Sequence, residues 1–87
     1  MKFSDHLESK MKDEDFRKAY EEEKHLLELG LAIARTRELR GMSQAELAQR
    51  CRVTQQQLSK IENGVNCNLL TFIKVSSALG FDLTVSA

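Results

Sequence analysis

Proline is absent from the sequence, and neither a low-complexity tract nor an internal repeat interrupts it. The chain therefore carries none of the marks of a linker or a solenoid. Cysteine is scarce: Cys51 and Cys67 are the two present. They are too few for a metal centre, and in a cytosolic helical protein they read as small core or turn residues rather than as a disulfide. No apolar run approaches the roughly 20 residues that a bilayer-spanning helix needs. Residues 1–6 lack the apolar segment of a secretory signal, so a cytoplasmic protein without membrane partners is expected. His6 and His25 have neither nucleophile nor metal partners in the sequence, and no glycine loop of the phosphate-cradling kind appears. Neither an enzyme, nor a cofactor or metal, nor a small-molecule substrate is expected.

What is present fits one small globular domain: 87 residues, 41% hydrophobic and 30% charged. The net charge of zero conceals a division along the chain. Through residue 30, nine acids face six bases; from residue 31 onward, seven bases face four acids. The second part has the sign that suits a polyanion.

Hydrophobic periodicity and capping signals divide this second part into helices. Leu26, Leu29, Ile33 and Arg37 recur at helical spacing toward a stop at Arg40-Gly41, with Gly30 as a destabilising interruption. Ser43 and Glu46 have the spacing of a capping box, and Met42 and Leu47 that of a hydrophobic staple. The device repeats eleven residues on, with Thr54 and Gln57 as box and Val53 and Leu58 as staple, in a helix that stops at Asn63-Gly64. Asn68 caps a further helix, ended by Gly80, whose apolar positions Leu69, Phe72, Ile73, Val75 and Leu79 are expected to face the core. Beyond it Phe81, Leu83 and Val85 alternate with polar residues, which predicts one strand. A lone strand needs an edge to pair with, so a two-fold homodimer joined through Phe81, Leu83 and Val85 is expected, with the last helix as an added surface.

Two short capped helices joined by Cys51-Arg52-Val53 match the geometry by which one helix enters a major groove. On the second of them Leu58 and Ile61 point inward, leaving Gln55, Gln56, Ser59, Lys60 and Asn63 outside, with Thr54 and Gln57 at its start. A glutamine amide offers the donor and acceptor that match the N6 and N7 edge of adenine, and Lys60 suits a guanine or a phosphate. Gln57 is also the natural partner of Thr54 in the cap.

The run Gln44-Ala45-Glu46-Leu47-Ala48-Gln49-Arg50, with Thr54-Gln55-Gln56-Gln57 and Glu62-Asn63-Gly64, resembles the repressors of lambdoid phages, and the similarity extends without gaps to Ala78-Leu79-Gly80. The resemblance implies a lambda-repressor-like, XRE-type domain in which Gln55 and Gln56 contact bases, Lys60 contacts a base or the backbone, and Gln44 and Asn63 hold phosphates. It also implies a structural ion pair between Arg37 and Glu62. Two positions depart from the pattern: Arg52 stands where the turn usually has glycine, and the loop after Gly64 reads Val65-Asn66-Cys67-Asn68, without the usual bases.

At the other end, Phe3, Leu7 and Met11 are spaced by four, and Phe16 and Tyr20 repeat the spacing after Asp13, a candidate cap. Apolar anchors on a short charged segment suit docking to a partner, with packing on the chain's own domain as the other option. The stretch Leu7-Glu8-Ser9-Lys10-Met11-Lys12-Asp13-Glu14-Asp15-Phe16-Arg17-Lys18-Ala19-Tyr20, followed by such a domain, is similar to HigA-type antitoxins. That resemblance implies autorepression and neutralisation of a RelE/HigB-like ribonuclease toxin. Leu7, Met11, Phe16 and Tyr20 would be the anchors, and Glu21, Glu22 and Glu23 would cover basic groups on the toxin. The expectation is thus an all-α fold of four to five helices: a toxin-binding helical extension at 1–24, a helix-turn-helix domain at 25–80 that binds double-stranded operator DNA, and a dimerisation strand at 81–87.

Overall fold

The computed structural model describes residues 13–81. Four α-helices occupy them: α1 (Glu14–Leu39), α2 (Gln44–Cys51), α3 (Gln55–Glu62) and α4 (Leu69–Ala78). Each begins at the predicted cap. The side chains of Asp13, Ser43, Thr54 and Asn68 accept from the backbone N–H groups of Phe16, Glu46, Gln57 and Thr71 at 2.8–3.1 Å. At Thr54 the reciprocal bond closes the box, its N–H donating to Gln57 Oε1 at 2.8 Å. The predicted stops hold as well, with positive φ at Gly41, Gly64 and Gly80.

α3 packs on α1 and α2, and α2 on α4, around Ile33, Met42, Leu47, Ala48, Cys51, Leu58, Ile61, Val75 and Leu79. Both staples join this core or its edge: Met42 and Leu47 are buried, and half-buried Val53 packs against the cluster that holds Leu58. Cys51 and Cys67 are free thiols, one buried and one half-buried, and loss of water around each raises its pKa. The guanidinium of Arg40 donates to the carbonyl of Leu79 at 2.7 Å, so a cation meets the C-terminal end of α4 and ties it to the end of α1.

Four expectations change. The division between residues 24 and 25 falls inside α1, which runs unbroken from Glu14 because no strong helix breaker lies between Asp13 and Gly41. Gly30 does not merely weaken that helix; it is the contact point with α3. A Cβ there would meet the carbonyl oxygens of Ile61 and Glu62, the latter at 2.9 Å. Leu69 and Ile73 face outward, as does much of Leu29, since α4 turns Thr71, Val75 and Ser76 inward and so rotates its apolar pattern off the core. Finally, Phe81 is not in a strand: its N–H donates to the carbonyl of Ser76 at 2.9 Å, completing the cap of α4. The rest of the expected strand, with Leu83 and Val85, and the anchors Phe3, Leu7 and Met11 lie outside the described residues.

The turn between α2 and α3 resolves the question posed by Arg52. The residue takes the left-handed conformation itself, with φ 60° and ψ 42°, and its N–H still reaches the carbonyl of Gln49 at 3.3 Å. Only glycine adopts that region without a steric penalty, and the penalty is about 1–2 kcal/mol. Arg52→Gly is therefore expected to stabilise the fold by about 0.5–1 kcal/mol after the larger chain entropy of glycine is subtracted. Gly30→Ala, which in an exposed helix would stabilise, is expected to destabilise by about 1–3 kcal/mol through overpacking against α3. Urea denaturation of the two variants beside the parent chain checks both signs.

Candidate nucleic-acid interface

The cap at Thr54 and the buried side chains Leu58 and Ile61 fix which side of α3 faces out. On that outer side Gln55, Gln56 and Lys60 are exposed, and their side chains make no hydrogen bond to the described residues. Their amides and ammonium are therefore free for a ligand. The amide oxygen of Gln57 is spent on the cap, so the three consecutive glutamines divide into two with free amides and one structural residue. Ser59 is half-buried, and its carbonyl accepts from Asn63 Nδ2 at 2.8 Å, which holds the Asn63 amide against its own helix.

Behind this face lies the ion pair. Arg37 donates through Nε and Nη2 to the two oxygens of Glu62 at 2.8 and 3.0 Å, and through Nη1 to the carbonyl of Met42 at 2.8 Å. The Arg37 side chain is 11% exposed and that of Glu62 6%. Hydrogen bonding to Glu62 raises the guanidinium pKa, against the opposing effect of burial, and so favours the charged form of Arg37. Gln44, expected on a phosphate, instead donates through Nε2 to Glu62 Oε1 at 3.0 Å. That bond joins α2 to the pair, and the second amide hydrogen of Gln44 remains. Neither the Gln44 bond nor the Met42 bond left a signal in the sequence, because both depend on how three helices meet.

Lys60 shares a shallow polar concavity with Gln57, Asn66, Asn68 and Thr71. It is the single cation there, since the loop after Gly64 supplies asparagines rather than bases. Arg50 and Arg52, both exposed at the end of α2, add positive charge elsewhere on the domain. Among the described residues no group of three His, Cys, Asp or Glu side chains could hold a metal ion, and no helix is long and apolar enough to cross a membrane.

A helical pair with this cap, this turn and this free outer face is the arrangement that a groove-reading domain requires. A helix-turn-helix family model matches residues 33–85. The chain belongs to that family. No curated protein matches the sequence. The helix-turn-helix is thus α2, the Arg52 turn and α3, and the chain is a DNA-binding regulator of XRE type. The match starts within α1, so the part of that helix before Ile33 precedes the family domain.

In that earlier part, every residue from Asp13 to His25 is exposed except half-buried Phe16. Phe16, Tyr20 and Leu27 share one stripe of the helix, since steps of four and seven residues return to nearly the same side. Glu21, Glu22 and Glu23 are consecutive and so stand about 100° apart around the axis; Glu23 borders the stripe, and Glu21 and Glu22 lie toward the opposite side.

The division of amides makes a separable prediction. Gln55→Ala and Gln56→Ala are each expected to cost about 1–3 kcal/mol on the preferred duplex and to relax base preference. Gln57→Ala is expected to lower stability by about 0.5–1.5 kcal/mol and leave preference unchanged. Competition binding with base-substituted duplexes, together with thermal melts of the free protein, distinguishes the two effects.

Proposed function

We propose that the protein is the antitoxin of a type II toxin–antitoxin pair, repressing its own operon from an inverted-repeat operator and neutralising a RelE/HigB-like ribonuclease toxin. The DNA-binding half of this reading rests on the free amides of Gln55 and Gln56 on α3. A two-fold dimer would present two such helices to half-sites about one helical turn apart, which is why the operator is an inverted repeat.

The observation that carries the toxin-binding half is the exposed part of α1 ahead of the family domain. Tyr20 is 39% exposed there and Leu27 47%, with the carboxylate of Glu23 beside the stripe. Exposed apolar anchors on an acidic helix segment suit a basic protein whose own ligand is RNA. Leu7 and Met11 would extend the same contact from the preceding segment. The second reading is a stand-alone XRE-type repressor in which residues 1–24 rest on the chain's own core. The exposure between Asp13 and His25 favours the first.

The test is growth of cells that express the small reading frame adjacent to this gene, with and without this protein. Arrest relieved by co-expression, and restored when Tyr20→Asp is combined with Glu21→Lys and Glu23→Lys, is the expected result. Absence of arrest from that reading frame would favour the stand-alone repressor.

A further inference from the structure

Arg52 is the one residue other than glycine with a positive φ among the described residues, at φ 60° and ψ 42°. That conformation costs stability for a side chain with a Cβ, and glycine or asparagine bears less of the cost. No contact within the domain offsets it. The guanidinium is exposed and makes neither a side-chain hydrogen bond nor an ion pair to the described residues, whereas Arg37 is held by Glu62 and Arg40 by the carbonyl of Leu79. A strained residue without an internal partner points to a role outside the fold.

Position indicates which role. In a helix-turn-helix the first helix crosses the sugar-phosphate backbone while the start of the second meets base edges. Arg52 caps the end of α2 and stands two residues before Thr54, the N-cap of α3, so it lies where those two contacts join. Its Cα is three residues from that of Gln55, a separation of at most about 11 Å. Phosphates follow one another at about 3.4 Å along each strand, so one beside the bases that meet Gln55 falls within range of a long cationic side chain. Charge from elsewhere is scarce at this end of α3: the loop after Gly64 reads Val65-Asn66-Cys67-Asn68, and Lys60 lies in the last turn of the helix. A planar guanidinium can hold two phosphate oxygens at once.

We propose that Arg52 is a phosphate anchor where α3 enters the groove, its strained backbone retained because it sets a guanidinium beside Gln55 and Gln56. The inference rests on the DNA-binding reading above and adds to it a contact that glycine in the turn could not make. Such an anchor contributes affinity and register without reading sequence.

The test compares the full chain with Arg52→Gly, Arg52→Asn and Arg52→Lys on a duplex that the parent selects from a random-sequence pool. Binding is followed by fluorescence anisotropy at salt concentrations from about 50 to about 200 mM, beside thermal melts of the free proteins. Loss of one phosphate contact makes the dependence of log K on log salt shallower by about 0.9, so the deficit of the glycine and asparagine variants is expected to be about three-fold larger at the low end of that range than at the high end. Both should weaken all base-substituted duplexes by the same factor, unlike Gln55→Ala, and the glycine variant should do so while melting above the parent. Arg52→Lys should keep the parent's salt dependence. A glycine variant that matches the parent in affinity and salt dependence overturns the proposal. So does one that melts below the parent with its salt dependence unchanged, which would assign the charge to the dipole of α2. Altered base preference would move Arg52 from a phosphate to a base edge and overturns it too. A parent that binds no duplex removes the DNA-binding reading and this anchor together, whereas the other failures leave that reading standing.

Discussion

The buried carboxylate of Glu62 is the point on which the domain's geometry depends. It receives two donors from Arg37 on α1 and one from Gln44 at the start of α2, while sitting at the end of α3. Through the third donor of Arg37 the α1–α2 turn is drawn in at Met42. Taking both charges out of water is expensive, so the pair need not raise net stability. What it does enforce is position, because any arrangement that separates the partners leaves a charge buried and unmatched. A domain of this size has only several kcal/mol of total stability, so such an arrangement is not populated.

The outer face of α3 inherits its fixed orientation from that constraint and from its two ends. At its start Thr54 and Gln57 satisfy one another; at its finish Asn63 bonds back to Ser59. Gln55 and Gln56 are left as the polar groups whose hydrogen bonds await a ligand, on a helix that has little reorganisation left to undergo. This is preorganisation of the helix backbone: the caps and the core position α3 before DNA arrives, and less of the binding energy is lost to placing it. With Lys60 the one cation beside the following loop, affinity leans less on phosphate anchoring than a basic loop would allow.

α1 serves two surfaces at once. Its second half is part of the core, joined to α3 where Gly30 lets the carbonyls of Ile61 and Glu62 approach and where Gly64, at φ +76°, lies on the backbone of Leu27. Its first half is exposed and acidic. Because the helix is continuous, a partner bound near Tyr20 would hold the same rigid rod that carries Arg37, and with it one member of the pair that positions α3. The side of α4 that carries Leu69, Leu70 and Ile73 is a further exposed surface of the same small domain.

Local chemistry made much of this legible in the sequence. Caps at Asp13, Ser43, Thr54 and Asn68, and stops at Gly41, Gly64 and Gly80, depend on residues within a few positions of one another, so spacing alone determined where the helices start and end. The free face of α3 followed from its periodicity, and the Arg37–Glu62 pair from family resemblance. Other features required the helices to be assembled. Whether Gly30 weakens or enables α1 depends on which backbone lies opposite it. Gln44 was expected on a phosphate, and its bond to Glu62 emerged only with the end of α3 placed beside α2. Leu69 and Ile73 have the periodicity of core residues, yet Thr71 and Ser76 took the inward positions once α4 packed against α2 and α3. Periodicity records that a helix has an apolar side; only the packing of its neighbours decides which side is buried and which is left exposed.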